Sequence, residues 1–155
     1  VEGGDVLVTQ DAVLIGLSGR TSGAGAEALK ILLERLGRRG EIVSTPPDVL
    51  HFKTDCSLLD EETILSTPRL ASSRAFARYR VILTPRGEEA AANALRVNDR
   101  VFLGDRFPRT ADRLGAAGYE VVLLPGDQIA LLDGGFSCLS LRWSSAPGGG
   151  PAPRA

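Results

Sequence analysis

Three stretches decide the architecture: Ile42-Val43-Ser44-Thr45-Pro46, Val81-Ile82-Leu83-Thr84-Pro85 and Val121-Val122-Leu123-Leu124-Pro125. Each is a short run rich in strand-forming residues, closed by a proline that cannot continue a ladder. The prolines at 46, 85 and 125 stand 39 and 40 positions apart, a period that marks a repeated supersecondary unit.

Working outward, each run is preceded by a helical candidate, and that by two strand candidates. In the first unit the strands fall at 6–9 and 13–17, and a helix is predicted over 22–36. Ala28, Leu29, Leu32, Leu33 and Leu36 follow the spacing of one helical face and are expected to be buried, while Gly37 and Gly40 stand where the helix should stop. The second unit reads as strands at 52–58 and 63–66 and a short helix at 72–79. The third reads as strands at 94–97 and 101–103 and a helix beginning near Pro108 and ending by Gly115 to Gly118. A fourth unit starts with strands at 128–132 and 139–143. Paired strands argue against a doubly wound sheet, and the helices argue against an all-β blade. The pattern predicts an α/β propeller-like ring of ββαβ units, with too few units to close. Two regions follow: a partial α/β propeller domain at 1–143 and a Ser/Gly/Pro/Ala-rich tail at 144–155, expected to be disordered.

Of the 155 residues, 43% are hydrophobic and 24% charged, enough apolar chain for a sizeable core. Eighteen basic and 19 acidic residues leave a net charge of -1, so no positive field draws the chain to nucleic acid or anionic lipid. No apolar run approaches the roughly 20 residues that span a bilayer. Two cysteines make neither a disulfide framework nor a four-ligand zinc site. The expectation is a cytoplasmic protein. The chain contains no Met, which suggests a removed start or a piece of something longer.

Chemistry is confined to few residues. His51 is the only histidine. It reads either as a structural residue or as the general acid and base, since histidine is the side chain that ordinarily titrates near neutrality. Cys138 follows Gly134-Gly135-Phe136-Ser137, a tight approach that can present a nucleophile, whereas Cys56 reads as a buried hydrophobe. Glu2 opens Val1-Glu2-Gly3-Gly4-Asp5-Val6 and is either a loop charge or a fixed anion for a cationic substrate. Arg20, in Ser18-Gly19-Arg20-Thr21, is either a solvated residue or a bidentate clamp for a carboxylate. The groups Arg35, Arg38, Arg39 and Arg74, Arg78, Arg80 read as helix-surface charge, and Asp55, Asp60, Glu61 and Glu62 as strand and turn charge.

In their order and spacing, Val1-Glu2-Gly3-Gly4-Asp5-Val6, Gly16-Leu17-Ser18-Gly19-Arg20-Thr21, Leu50-His51-Phe52-Lys53 and Gly134-Gly135-Phe136-Ser137-Cys138 resemble the dimethylarginine dimethylaminohydrolases of the arginine deiminase (guanidino-group-modifying) superfamily. The resemblance covers nearly all of 1–143. It implies a pentein-type α/β propeller of five ββαβ modules, of which about three are present here as a partial ring. It further implies Cys138 as nucleophile, His51 as general acid and base, Glu2 as the carboxylate that binds the guanidinium, Arg20 as the grip on the substrate's α-carboxylate, and Asp5 as a buried structural carboxylate. Deiminases and amidinotransferases of the superfamily usually carry aspartate two positions after the histidine. Lys53 stands there, which favours a methylated arginine as the small-molecule substrate. The implied reaction uses no cofactor and no metal, and a homodimer is compatible with it. An arginine deiminase, an amidinotransferase and a truncated non-catalytic binding module are the alternatives; a redox protein is disfavoured because Cys56 and Cys138 form no CxxC pair. The unit count implies the C-terminal portion of a longer enzyme, expected to be inactive and poorly soluble by itself.

Overall fold

The computed structural model describes residues 1–132 and 134–141. Strands β1 (Val6–Val8), β2 (Val13–Leu17) and β3 (Gly40–Ser44) form the first sheet, β4 (Cys56–Leu58), β5 (Thr63–Ser66) and β6 (Arg80–Leu83) the second, and β7 (Leu95–Val97), β8 (Arg100–Gly104) and β9 (Glu120–Leu124) the third. Each sheet repeats one plan. The first two strands pair antiparallel, with Val6 opposite Ile15, Cys56 opposite Ser66 and Leu95 opposite Phe102. The third joins parallel after a crossover, with Val13 opposite Gly40, Thr63 opposite Arg80 and Arg100 opposite Glu120. The strand plan of the predicted ββαβ unit is present three times, with an α-helix in the crossover of the first and third.

The crossovers differ because their sequences do. Helix α1 (Gly23–Arg35) starts at Ser22, whose hydroxyl caps the Gly25 N–H at 3.2 Å. It stops where Gly37 takes φ +71°, a left-handed geometry suited to glycine. Helix α2 (Pro108–Ala116) begins on Pro108. Between β5 and β6 the expected helix at 72–79 is replaced by a single 3-10 turn, Arg74–Phe76, within a chain of i→i+3 bonds from Thr67 to Tyr79. Pro68 and the serines Ser72 and Ser73 oppose a regular helix there, and the tight turns bury Leu70, Ala75 and Phe76.

The buried face of α1 also differs from expectation. Ala28, Leu32 and Leu36 are exposed, Leu29 and Leu33 half-buried, and Ala26 is fully buried. The helix is rotated so that the line Ala26, Leu29, Leu33 meets β2 and β3. In the second unit the expected strand at 52–58 begins only at Cys56, after a 3-10 turn at Phe52–Thr54. The expected strand at 128–132 is instead a short helix α3 (Asp127–Ala130), begun by the Gly126 carbonyl accepting from Ala130 N–H. A short apolar run does not by itself separate the two states. Leu139, expected in a strand, closes a 3-10 turn, Phe136–Leu139; the remainder of that expected strand and the expected tail lie outside the described residues.

The core lies between units. Leu7, Leu14 and Val43 of the first sheet pack with Phe52, Cys56, Ile64, Leu70 and Phe76 of the second unit. Leu59, Leu65 and Ile82 of the second pack with Val101, Leu103 and Leu114 of the third. The central strand β5 is therefore buried along its whole length. Sharing of apolar faces by successive units is the physical basis of a ring.

Candidate active site

Glu2 immediately precedes the 3-10 turn Gly3–Asp5, and its own N–H donates to the Thr21 hydroxyl at 3.1 Å. His51 caps the turn Phe52–Thr54, where its N–H donates to the Thr54 hydroxyl at 3.4 Å and that hydroxyl donates to the His51 carbonyl at 2.6 Å. The His51 ring lies against Gly4 so closely that a Cβ there would stand 2.7 Å from Cγ of the imidazole. This contact brings Nε2 of His51 to 2.8 Å from Oε2 of Glu2. The other Glu2 oxygen, Oε1, faces Nη1 of Arg20 at 3.7 Å.

Asp5 ties these pieces together. It is fully buried and accepts the hydroxyls of Ser18 at 2.7 Å and Thr21 at 2.6 Å and the Phe52 N–H at 2.8 Å. Ser18 in turn accepts the Arg20 N–H at 3.0 Å. One carboxylate thus joins the turn after Glu2, the loop of Arg20 and the turn of His51. The expectation of a buried structural Asp5 is met.

Cys138 sits in the turn Phe136–Leu139 and is exposed. Its Sγ lies 3.3 Å from Nδ2 of Asn93, a residue to which the sequence reading assigned nothing. Among the described residues no hydrogen bond joins Cys138 to His51. The link is indirect: the turn at Phe52–Thr54 packs against the turn Glu89–Ala92, and Asn93 follows the latter. An open hollow of about 390 Å³ borders Cys138, lined also by Gln128, Ile129, Leu132, Gly134 and Leu139. The structure therefore assembles Glu2, Arg20 and His51 directly and leaves Cys138 on a separate anchor.

Cys56 is buried, and its thiol donates to the Phe52 carbonyl at 3.3 Å. Burial pushes that thiol up, and the Asp55 charge pushes it further. Asp55 is not the turn charge expected. It is buried and gripped by Arg69 through Nε at 2.6 Å and Nη2 at 2.8 Å, with the Thr67 hydroxyl at 2.7 Å. Among the described residues no group of three or more His, Cys, Asp or Glu is arranged to hold a metal ion.

Consecutive units sharing a core, with a carboxylate–imidazole pair across the first two and an exposed cysteine beyond the third, define a partial α/β propeller of the pentein type. The arginine deiminase family model matches residues 1–93, and the chain belongs to that family. It is 35% identical over 143 residues to a dimethylarginine dimethylaminohydrolase from Pseudomonas aeruginosa, covering 92% of this chain and 56% of that protein. The dimethylarginine dimethylaminohydrolase structure from the same organism, solved with citrulline, matches with a TM-score of 0.87 and 34% identity over 92% of this chain and 56% of that one. The N-terminal domain of a cyanobacterial arginine dihydrolase matches with a TM-score of 0.75 at 20% identity, covering 90% of this chain and 54% of that one, a likeness of fold alone. The chain spans about half the length of these relatives. No helix among the described residues is long and apolar enough to cross a membrane.

Proposed function

We propose that the protein carrying this chain hydrolyses the guanidino C–N bond of N-omega-methylated arginine, giving citrulline and methylamine or dimethylamine. The observation that carries the reading is the 2.8 Å pairing of His51 with Glu2 beside Arg20, in a chain 35% identical to a dimethylarginine dimethylaminohydrolase.

The Cys138 thiolate attacks the central guanidinium carbon, forming a C–S bond, while Glu2 holds the cationic group and orients the imidazole. His51 gives a proton to the departing amine as the C–N bond breaks, leaving an S-alkylthiouronium on Cys138. His51 then takes a proton from water. The hydroxide adds to the same carbon, and the C–S bond breaks to release the thiolate and citrulline, whose hydroxyl proton passes through solvent to the freed amine. Proton transfer of this kind is worth on the order of 10²–10⁴ in rate. Arg20 takes the α-carboxylate through its planar fork. Neither a metal nor an organic cofactor enters these steps. Two unpaired cysteines suit a reducing, cytoplasmic setting, and the near-zero net charge suits a small-molecule partner over nucleic acid or a membrane.

The test is steady-state citrulline release from N-omega,N-omega-dimethylarginine and from free arginine. The account expects the methylated substrate to turn over with the higher kcat/KM. Faster turnover of arginine would move the assignment to a deiminase.

A further inference from the structure

Asn93 occupies a place that the two preceding units fill with carboxylates. Asp5 ends the turn before β1, Asp55 follows the turn before β4, and Asn93 follows the turn Glu89–Ala92 before β7. Asp5 reaches into the next unit, accepting the Phe52 N–H beside His51. Asp55 is held within its own unit by Thr67 and Arg69, but Asn93 of the third unit again reaches beyond its unit: its Oδ1 accepts the Ser137 N–H at 3.3 Å, beside Cys138, together with the Ser137 hydroxyl.

A backbone N–H can only donate, so Ser137 fixes the oxygen side of the amide and leaves Nδ2 facing the sulfur. The 3.3 Å contact to Cys138 is thus an N–H donor aimed at Sγ. Asn93 is 7% exposed. Gly135 presses on its amide, since any Cβ there would overlap Cγ and Nδ2. The amide is held on both sides with its donor towards the thiol.

We propose that Asn93 is a positioning residue for the Cys138 thiolate: its amide N–H fixes the sulfur and favours the anion, and the third unit carries an amide here because a carboxylate would repel that sulfur. The inference rests on Cys138 being the nucleophile, but its test does not require hydrolysis.

The experiment is alkylation of Cys138 by iodoacetamide across pH in the protein carrying this chain, followed on the Cys138 peptide by mass spectrometry, comparing the parent with Asn93→Asp and Asn93→Leu. Cys56 is buried and stays silent. Asn93→Leu keeps the volume and removes the donor; alkylation near neutral pH should slow several-fold. Asn93→Asp keeps the acceptor for Ser137 but sets a like charge beside the sulfur, so its rate–pH profile should move to higher pH and its neutral-pH rate fall about tenfold or more. If Asn93 only fills space, both variants react at the parent rate. Either variant at the parent rate, or an Asn93→Asp profile that does not move, overturns the proposal. Should one variant fail to fold by circular dichroism, the other decides. Expected alkylation rates in a protein that releases no citrulline would sink the hydrolase reading and leave the Asn93 assignment standing.

Discussion

The Asp5 carboxylate accepts the Phe52 N–H at 2.8 Å, across 47 residues of chain. This bond fixes the backbone immediately after His51, and the hydroxyls of Ser18 and Thr21 both donate to the other oxygen of Asp5. The placement of the imidazole relative to Glu2 is therefore set by a buried group that touches no substrate.

Removing that group should cost stability as well as geometry. Asp5→Ala strands the Phe52 N–H and two hydroxyls, and the unfolding free energy should fall by about 3 kcal/mol. Glu27→Ala, on the exposed side of α1, should stay within about 0.5 kcal/mol. Urea titration followed by circular dichroism compares them. An Asp5→Ala protein as stable as the Glu27 variant would contradict the role given to Asp5.

The two thiols should separate cleanly. Cys138 is exposed, whereas Cys56 is buried and its thiol is pushed up by burial. A disulfide-exchange reagent should titrate one thiol in the native chain and two in denaturant, and Cys138→Ser should abolish the native reaction. Rapid native reaction of the Cys138→Ser chain would show that the core around Phe52 opens.

Acid should unlock the third unit through Glu88. Burial works to push this carboxyl up, but the Thr110 hydroxyl and N–H at 2.7 Å and the Arg109 guanidinium at 3.1 Å win and hold it below the usual range. A carboxylate lowered by folding adds stability that is complete above its ordinary value of about 4.3 and is lost as pH falls towards its folded value. The stability difference between parent and Glu88→Gln should be constant near neutrality and shrink below about pH 4. Urea midpoints at a series of pH values measure it; a difference that does not vary with pH would contradict the account.

Arg20 should discriminate on the carboxylate end of the substrate. Arg20→Lys loses the bidentate fork, so kcat/KM should fall for methylarginine and hold for its decarboxylated analogue. Equal weakening of both would make Arg20 structural, acting through Glu2 at 3.7 Å.

Much of the fold was legible in the residues, because the strand–proline runs repeat, and the candidate residues stood out because Glu2 and Arg20 sit beside glycines and His51 is the only histidine. Most of the parts that were not legible share a cause: tertiary contact overrides local pattern. The stripe Ala28, Leu32, Leu36 has good helical spacing, yet the sheet takes the line through Ala26 and Leu33 instead. The run at 128–132 is short and apolar enough to read as a strand, yet its Gln, Ala and Leu suit the helix that starts at Asp127. Asp55 reads as a turn charge, yet Arg69, 14 residues on, neutralises it in the interior. Asn93 carries no motif of its own. Its only signal is a place at the end of a 3-10 turn just ahead of the first strand of a unit, as Asp5 and Asp55 have, which becomes visible once the turns are known.

The central claim is that this is a methylarginine-hydrolysing protein whose nucleophile is Cys138, and citrulline release tests it most directly. N-omega,N-omega-dimethylarginine is supplied to the protein carrying these residues and to its Cys138→Ala variant, with citrulline followed over time. The account predicts steady release by the parent and a loss of at least about 10³-fold in the variant. Citrulline release by Cys138→Ala at the parent rate, or none by the parent, would contradict it.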